Sequence, residues 1–188
     1  GEALVAMAGS DADVVAMSTR KETRVVGADG QLRFSLPADD KDVTALALSD
    51  DGKLLARGRA DGKVEIHDTS TGRRARQLST SSARVGALGV SDGHLLVASD
   101  NGQVDFFDLA TSYRRTIDTG ESGTAHFATS NGVAAVLESK SATVIDLASG
   151  ARLATRSGHD GAIVDVALYG DRLVSAGWDR TIRVWPNR

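Results

Sequence analysis

Three six-residue stretches share one pattern of apolar and polar positions. Residues 43–48, 85–90 and 163–168 carry large apolar side chains at the first, fourth and sixth places: Val43, Leu46 and Leu48; Val85, Leu88 and Val90; Ile163, Val166 and Leu168. The fifth place is Ala47, Gly89 or Ala167. Short apolar runs of this kind, bounded by turn residues, predict strands. The small fifth residue predicts a place where neighbouring sheets approach closely. Turns such as Ser49-Asp50-Asp51-Gly52 and Ser91-Asp92-Gly93 follow, and Asp and Gly supply their chemistry. Second strands are expected over 53–58, 94–99, 133–138 and 172–176. Asp61-Gly62 and Asn101-Gly102 then close tight hairpins. Third strands are expected over 23–27, 63–68, 103–108 and 142–146. Polar, Arg-rich outer strands are expected over 74–78, 113–118 and 152–156. The first strand of the chain is expected near Ala3.

The pattern recurs. Val26, His67, Phe107, Ile145 and Trp185 end the third strand of successive units, at steps of 41, 40, 38 and 40 residues. A fixed period marks a repeat architecture. A β-sandwich or simple barrel gives no reason for it. The units run over residues 1–37, 38–80, 81–119, 120–157 and 158–188, read as one all-β region.

The last unit is the most specific. It opens on Gly158-His159, continues through Ile163–Leu168, and places Ser175, Asp179 and Trp185 at characteristic spacings. It resembles a WD40 repeat, the unit of a four-stranded β-propeller blade. The resemblance implies a WD40-type β-propeller with about five blades present, expected to belong to a larger, seven-blade ring. A free-standing five-blade ring is the alternative, and it would leave an unpaired strand edge. The fifth unit stops at Pro186-Asn187-Arg188 without an outer strand. Missing blades or a closing strand are therefore expected from the same parent chain or another chain. The resemblance also implies a buried tetrad in which Asp179 accepts from His159, and His159 links through Ser175 to the Trp185 indole. The other units depart from it. Arg57, Val97 and Leu137 or a neighbour replace Ser175. His67, Phe107, Ile145 and Val26 replace Trp185. Asp61 and Asn101 keep the turn residue, and Asp68, Asp108 and Asp146 follow the third strand.

Composition narrows the function. The 188 residues are 41% hydrophobic but only 4% aromatic, so packing relies on Val, Leu and Ala. A net charge of −3 gives no electrostatic footprint for nucleic acid. No apolar run of about eighteen residues predicts a transmembrane helix, and the first residues do not read as a signal peptide. The cytoplasm is the expected compartment. With no cysteine there is no disulfide or thiolate site. His67, His94, His126 and His159 fall in four different units, which is unlike a metal site. Asp29-Gly30, Asp61-Gly62 and Asp92-Gly93 lack the regular acidic spacing of calcium loops. The basic pairs Arg73-Arg74 and Arg114-Arg115 suit solvated outer strands, where charge blunts pairing. No cofactor and no catalytic residue are expected. His159, Ser175 and Asp179 invite a hydrolase reading, but no nucleophile elbow surrounds Ser175.

Trp178, just before Asp179, is the exposed candidate. It is either a packing residue or an anchor for a protein or peptide partner, with Arg59 and Asp100 near equivalent turns as accompanying charges. The expected function is a non-catalytic scaffold or recognition platform. The alternative is a regulatory or sensor propeller at the C-terminal end of a larger kinase, protease or NTPase.

Overall fold

A computed structural model describes residues 4–37, 42–80, 84–118, 127–130 and 132–187. The described residues form strands and turns, with no helix among them. The first sheet holds β1 (Ala6–Gly9), β2 (Val15–Ser18), β3 (Glu22–Val26) and β4 (Leu32–Pro37). The second holds β5 (Val43–Leu48), β6 (Leu54–Arg59), β7 (Lys63–Asp68) and β8 (Arg74–Ser79). The third holds β9 (Val85–Ser91), β10 (His94–Ser99), β11 (Gln103–Asp108) and β12 (Arg114–Asp118). The fourth holds β13 (Phe127–Ser130), β14 (Val133–Glu138), β15 (Ser141–Asp146) and β16 (Arg152–Ser157). The last holds β17 (Ile163–Tyr169), β18 (Arg172–Gly177) and β19 (Ile182–Pro186). Strands follow chain order in every sheet, and the last sheet has three. The sequence places the first strand near Ala3. It begins instead at Ala6, and Ala3 lies outside the described residues.

The chain divides into two compact units, Gly1–Val90 and Ser91–Arg188. In the first, Val43, Leu46, Leu48 and Leu55 of the second sheet pack on Ala16 and Val25 of the first, with Ala8 and Phe34 alongside. In the second, Ile163, Val166 and Leu173 of the last sheet pack on Ala135, Leu137, Ala142 and Val144 of the fourth, with Ala128 alongside. The first, fourth and sixth apolar positions are thus what one sheet drives into its predecessor. What receives them is a row of small residues running across three strands. Ala8 faces Ala16, which faces Val25. Ala128 faces Ala135, which faces Val144. Small side chains let the two sheets close to van der Waals distance over the larger ones.

The same register in the last sheet gives Ala167, Val174 and Val184. This row lies on the opposite face from Ile163, Val166 and Leu173, and Ala167 is exposed. The expected close approach at the fifth position holds for Ala47, which is buried, but not for Ala167. No described sheet of its unit covers that face.

The turns between third and fourth strands repeat in detail. The Asp68, Asp108 and Asp146 N–H groups donate to the Arg73, Tyr113 and Ala151 carbonyls at 3.0, 2.9 and 2.9 Å. Their carboxylates accept from backbone N–H groups within the turn, such as Thr71, Thr111 and Ser149. These aspartates hold turns rather than ligands.

The hairpin between second and third strands needs a left-handed residue. Gly62 and Gly102 supply it at φ 78° and 80°, and their N–H groups donate back to Arg59 and Ser99. In the last sheet Arg180 takes the place at φ 64°. A side chain there costs about 1 kcal/mol relative to glycine. Arg180→Gly is therefore expected to raise the stability of the chain by about that amount, read as a higher denaturation midpoint. A lower midpoint would show that the Arg180 side chain contributes more than its backbone loses.

Candidate functional site: the last sheet and its turn

The chemistry of the last sheet starts from a close approach of backbone and ring. Gly158 sits at φ 144°, and a Cβ there would come within 3.2 Å of Trp185 Cη2. Glycine thus lets His159 enter beside the indole, and the rings meet edge to face at 6.5 Å. At Gly177 a Cβ would lie 2.6 Å from His159 Nδ1, so that position also has to be bare.

His159 Nδ1 donates to Asp179 Oδ2 at 2.8 Å, because a carboxylate can only accept. Its Nε2 is then an acceptor, and the Ser175 hydroxyl donates to it at 2.8 Å. Trp185 Nε1 donates to Ser175 Oγ at 2.9 Å. Asp179 also accepts from the Thr181 hydroxyl at 2.8 Å, the Thr181 N–H at 3.0 Å and the Asp160 N–H at 3.0 Å. Burial pushes the Asp179 carboxyl up, but the donors from Thr181, His159 and Asp160 outweigh it and hold it well below the usual carboxylate range. The relay runs from indole to hydroxyl to imidazole to carboxylate.

A Ser–His–Asp chain of this kind can activate a nucleophile only where a substrate reaches the hydroxyl. Ser175 is 1% exposed and its oxygen already accepts from the indole. The arrangement can fix β18, β19 and the turn between them. It cannot present a nucleophile.

What it presents is Trp178. The Trp178 N–H donates to the Ala162 carbonyl at 2.8 Å, and the Asp179 network anchors the next residue. The side chain is nevertheless 76% exposed. Asp100, at the equivalent turn position of the third sheet, is half-buried. Arg59, expected to accompany Trp178 on a partner face, is 4% exposed instead. It ends β6, and its Nη1 donates to Glu65 Oε2 at 3.2 Å. Buried and held by Glu65, it does not present its charge to solvent. His126 lies outside the described residues.

Position by position, Val136 and not Leu137 stands where Ser175 stands, since Val136 faces Thr143 as Ser175 faces Arg183. Arg57 and His67 occupy the Ser175 and Trp185 places of the second sheet, as their spacing implies. The sequence did not reveal that they build a buried ionic cluster. Arg57 Nη1 and Arg59 Nη1 lie 3.9 and 3.2 Å from Glu65 Oε2. The half-exposed Arg74 donates to Glu65 Oε1 at 3.1 Å. Arg57 also donates to the Pro37 carbonyl at 3.0 Å. His67 Nδ1 donates to the Gly72 carbonyl at 3.2 Å, leaving Nε2 3.7 Å from Glu65. Burial holds the His67 imidazole below its ordinary range, so it is neutral at pH 7. In the third sheet Arg114 grips the buried Asp105 through both oxygens at 3.0 Å. The only signal for these pairs was an acid on the third strand followed nine residues later by Arg, as in Glu65 with Arg74 and Asp105 with Arg114.

Comparisons with known proteins agree with this geometry. Residues 4–93 match a family model described as the anaphase-promoting complex subunit 4 WD40 domain. Residues 150–186 match one described as WD domain, G-beta repeat. The chain is 28% identical to the periodic tryptophan protein 2 homolog of Caenorhabditis elegans, over 76% of this chain and 17% of that protein. A chain in the crystal structure of the mitotic checkpoint complex superposes with a TM-score of 0.83 at 24% identity, over 98% of this chain and 60% of that one. The present chain spans about a sixth of the length of the first relative and three fifths of the second.

Proposed function

Because the chain belongs to the WD40-repeat family and folds as part of a β-propeller, we propose that it is a non-catalytic recognition platform for a protein or peptide partner. WD40 domains generally act as scaffolds for protein interaction, and this is the warrant for the class of function. Trp178 carries the specific reading. It is a large aromatic side chain, exposed on a turn that a buried hydrogen-bond network holds still. A rigid aromatic loses little conformational freedom when a partner covers it, which is why such residues dominate interface energies. A further sheet, from the same parent chain or another chain, joins the last sheet in this reading.

The test is Trp178→Ala. Partners recovered from cell extract with the unmodified chain should bind the variant about 30-fold more weakly, the loss expected of an interface hot spot. The thermal midpoint should not move, since the side chain is exposed. Equal binding at an unchanged midpoint would remove Trp178 from the recognition surface.

A further inference from the structure

We infer that the cleft between the third and fourth sheets binds a lysine side chain of a protein partner. It is a second contact, on sheets other than the one that carries Trp178.

The cleft has a volume of about 80 Å³. Phe106 and Leu147, both buried, form its apolar floor. Tyr113 stands at its rim, 67% exposed. A cavity of about 150 Å³ admits benzene. The present one therefore excludes a ring and admits a slim, unbranched chain.

The polar walls select the head of that chain. Arg115 of β12 reaches the fourth sheet, where its Nη1 donates to the Gly150 carbonyl at 2.7 Å and the Ser149 carbonyl at 3.4 Å. Gly150 has to be bare for this, because a Cβ would clash with the same nitrogen. Carbonyl oxygens thus meet the Arg115 charge. The opposite wall offers acceptors. His94 and Asp108 are paired across β10 and β11 and share a sheet face. His94 Nδ1 donates to the Asp92 carbonyl at 2.8 Å, which leaves Nε2 of the neutral ring as an acceptor. Asp108 Oδ1 accepts from the Ala110 and Thr111 N–H groups. Hydrogen bonds from Thr111 and Ala110 hold this carboxyl below the usual carboxylate range, so it is charged at pH 7. Asp108 therefore holds its turn and also sets the sign of the field in the cleft. A ligand head that donates and carries positive charge satisfies this wall. The Tyr113 ring favours a cation as well. Lysine joins a four-methylene stem, which packs on apolar surface, to a compact ammonium.

The repeat itself does not call for these groups. In the first unit Val14 stands at the His94 place, Gly27 at the Asp108 place and Phe34 at the Arg115 place. Val14 is buried, and Phe34 lies against Gly72, the counterpart of Gly150. That junction is built from apolar side chains where this one carries an acceptor and a charge.

The test titrates Nα-acetyl-lysine N-methylamide into the 188-residue chain and follows it by NMR. Shifts should saturate with a Kd of about 1–10 mM, as befits a single side chain. They should be confined to β10–β12 and the turn between β15 and β16. The norleucine analogue keeps the stem and lacks the ammonium, and should bind at least about tenfold more weakly. Asp108→Asn keeps the acceptor that the turn needs and removes the charge. His94→Leu removes the acceptor and installs the residue type that Leu54 provides in the second sheet. Each variant should weaken lysine binding about fivefold or more. Should one variant fail to fold, the other and the norleucine comparison decide. Equal binding of the norleucine analogue overturns the inference. So does lysine binding that neither variant weakens, or the lack of any saturable shift up to about 50 mM. None of these results touches the Trp178 reading, which partner binding decides separately.

Discussion

Replacing Glu65 by leucine should cost about 3–5 kcal/mol, the expected penalty for removing one partner from a buried ionic contact. Arg57 and Arg59 are almost wholly buried, and Glu65 is the carboxylate between them. Without it, two almost wholly buried guanidiniums lose the carboxylate they share. Arg57→Leu should cost less, because Glu65 keeps Arg59 and Arg74. The asymmetry between the variants, measured by denaturant titration, is the sharper observable. A Glu65→Leu cost below about 1 kcal/mol would mean that solvent or rearrangement already satisfies the arginines. Acid provides a second readout. Burial pushes Glu65 up, but the Arg57 and Arg59 charges and the Arg74 hydrogen bond outweigh it and bring the carboxyl below its ordinary value of 4.5. The unfolded chain then binds more protons in that window. The stabilisation is complete above about pH 4.5 and is lost as pH falls below it. Glu65→Leu should flatten that part of the stability profile.

Ser175→Ala should cost about 2–6 kcal/mol. One hydroxyl serves two neighbours, donating to His159 Nε2 and accepting from Trp185 Nε1. Its removal leaves two polar atoms without a partner, each at about 1–3 kcal/mol when buried. Trp185→Phe tests the other end of the relay. It removes the indole donor while Ser175 still donates to His159, so the hydrogen-bond part of its cost should be near 1 kcal/mol. Thermal melts of both variants check the order. Equal stability of Ser175→Ala and the unmodified chain would mean that the relay contributes nothing to folding.

Much of this architecture is legible in the sequence because two local signals repeat. The apolar places of residues 43–48 and 163–168 mark strands whose large side chains enter the preceding sheet. Turn pairs such as Asp61-Gly62 mark where those strands reverse. Both signals depend on side-chain size and backbone freedom, which a residue carries wherever it stands. The Gly158-His159 pair and Trp185 were legible for the same reason, since one intact unit contains all of the relay. The fate of charged residues was harder to read. Arg59 reads as a surface charge, yet it is buried, because the acid that receives it is on the next strand and only strand register brings them together. Residue type alone did not separate Val136 from Leu137 either, since both are apolar and buried. Arg180 gives no warning at all. Its left-handed backbone is imposed by a turn that elsewhere uses glycine.

The rows of small residues have a consequence for how such a chain can change over generations. The first and fourth sheets bury the same kind of row under the same kind of insertion, so those neighbours recognise one another by type and not by individual shape. Duplicating or deleting one whole repeat restores a matching junction on both sides. Losing a single strand removes one member of the row and leaves the junction without its fit. Viable length changes in this lineage should therefore come in quanta of about forty residues, with smaller insertions confined to the turns.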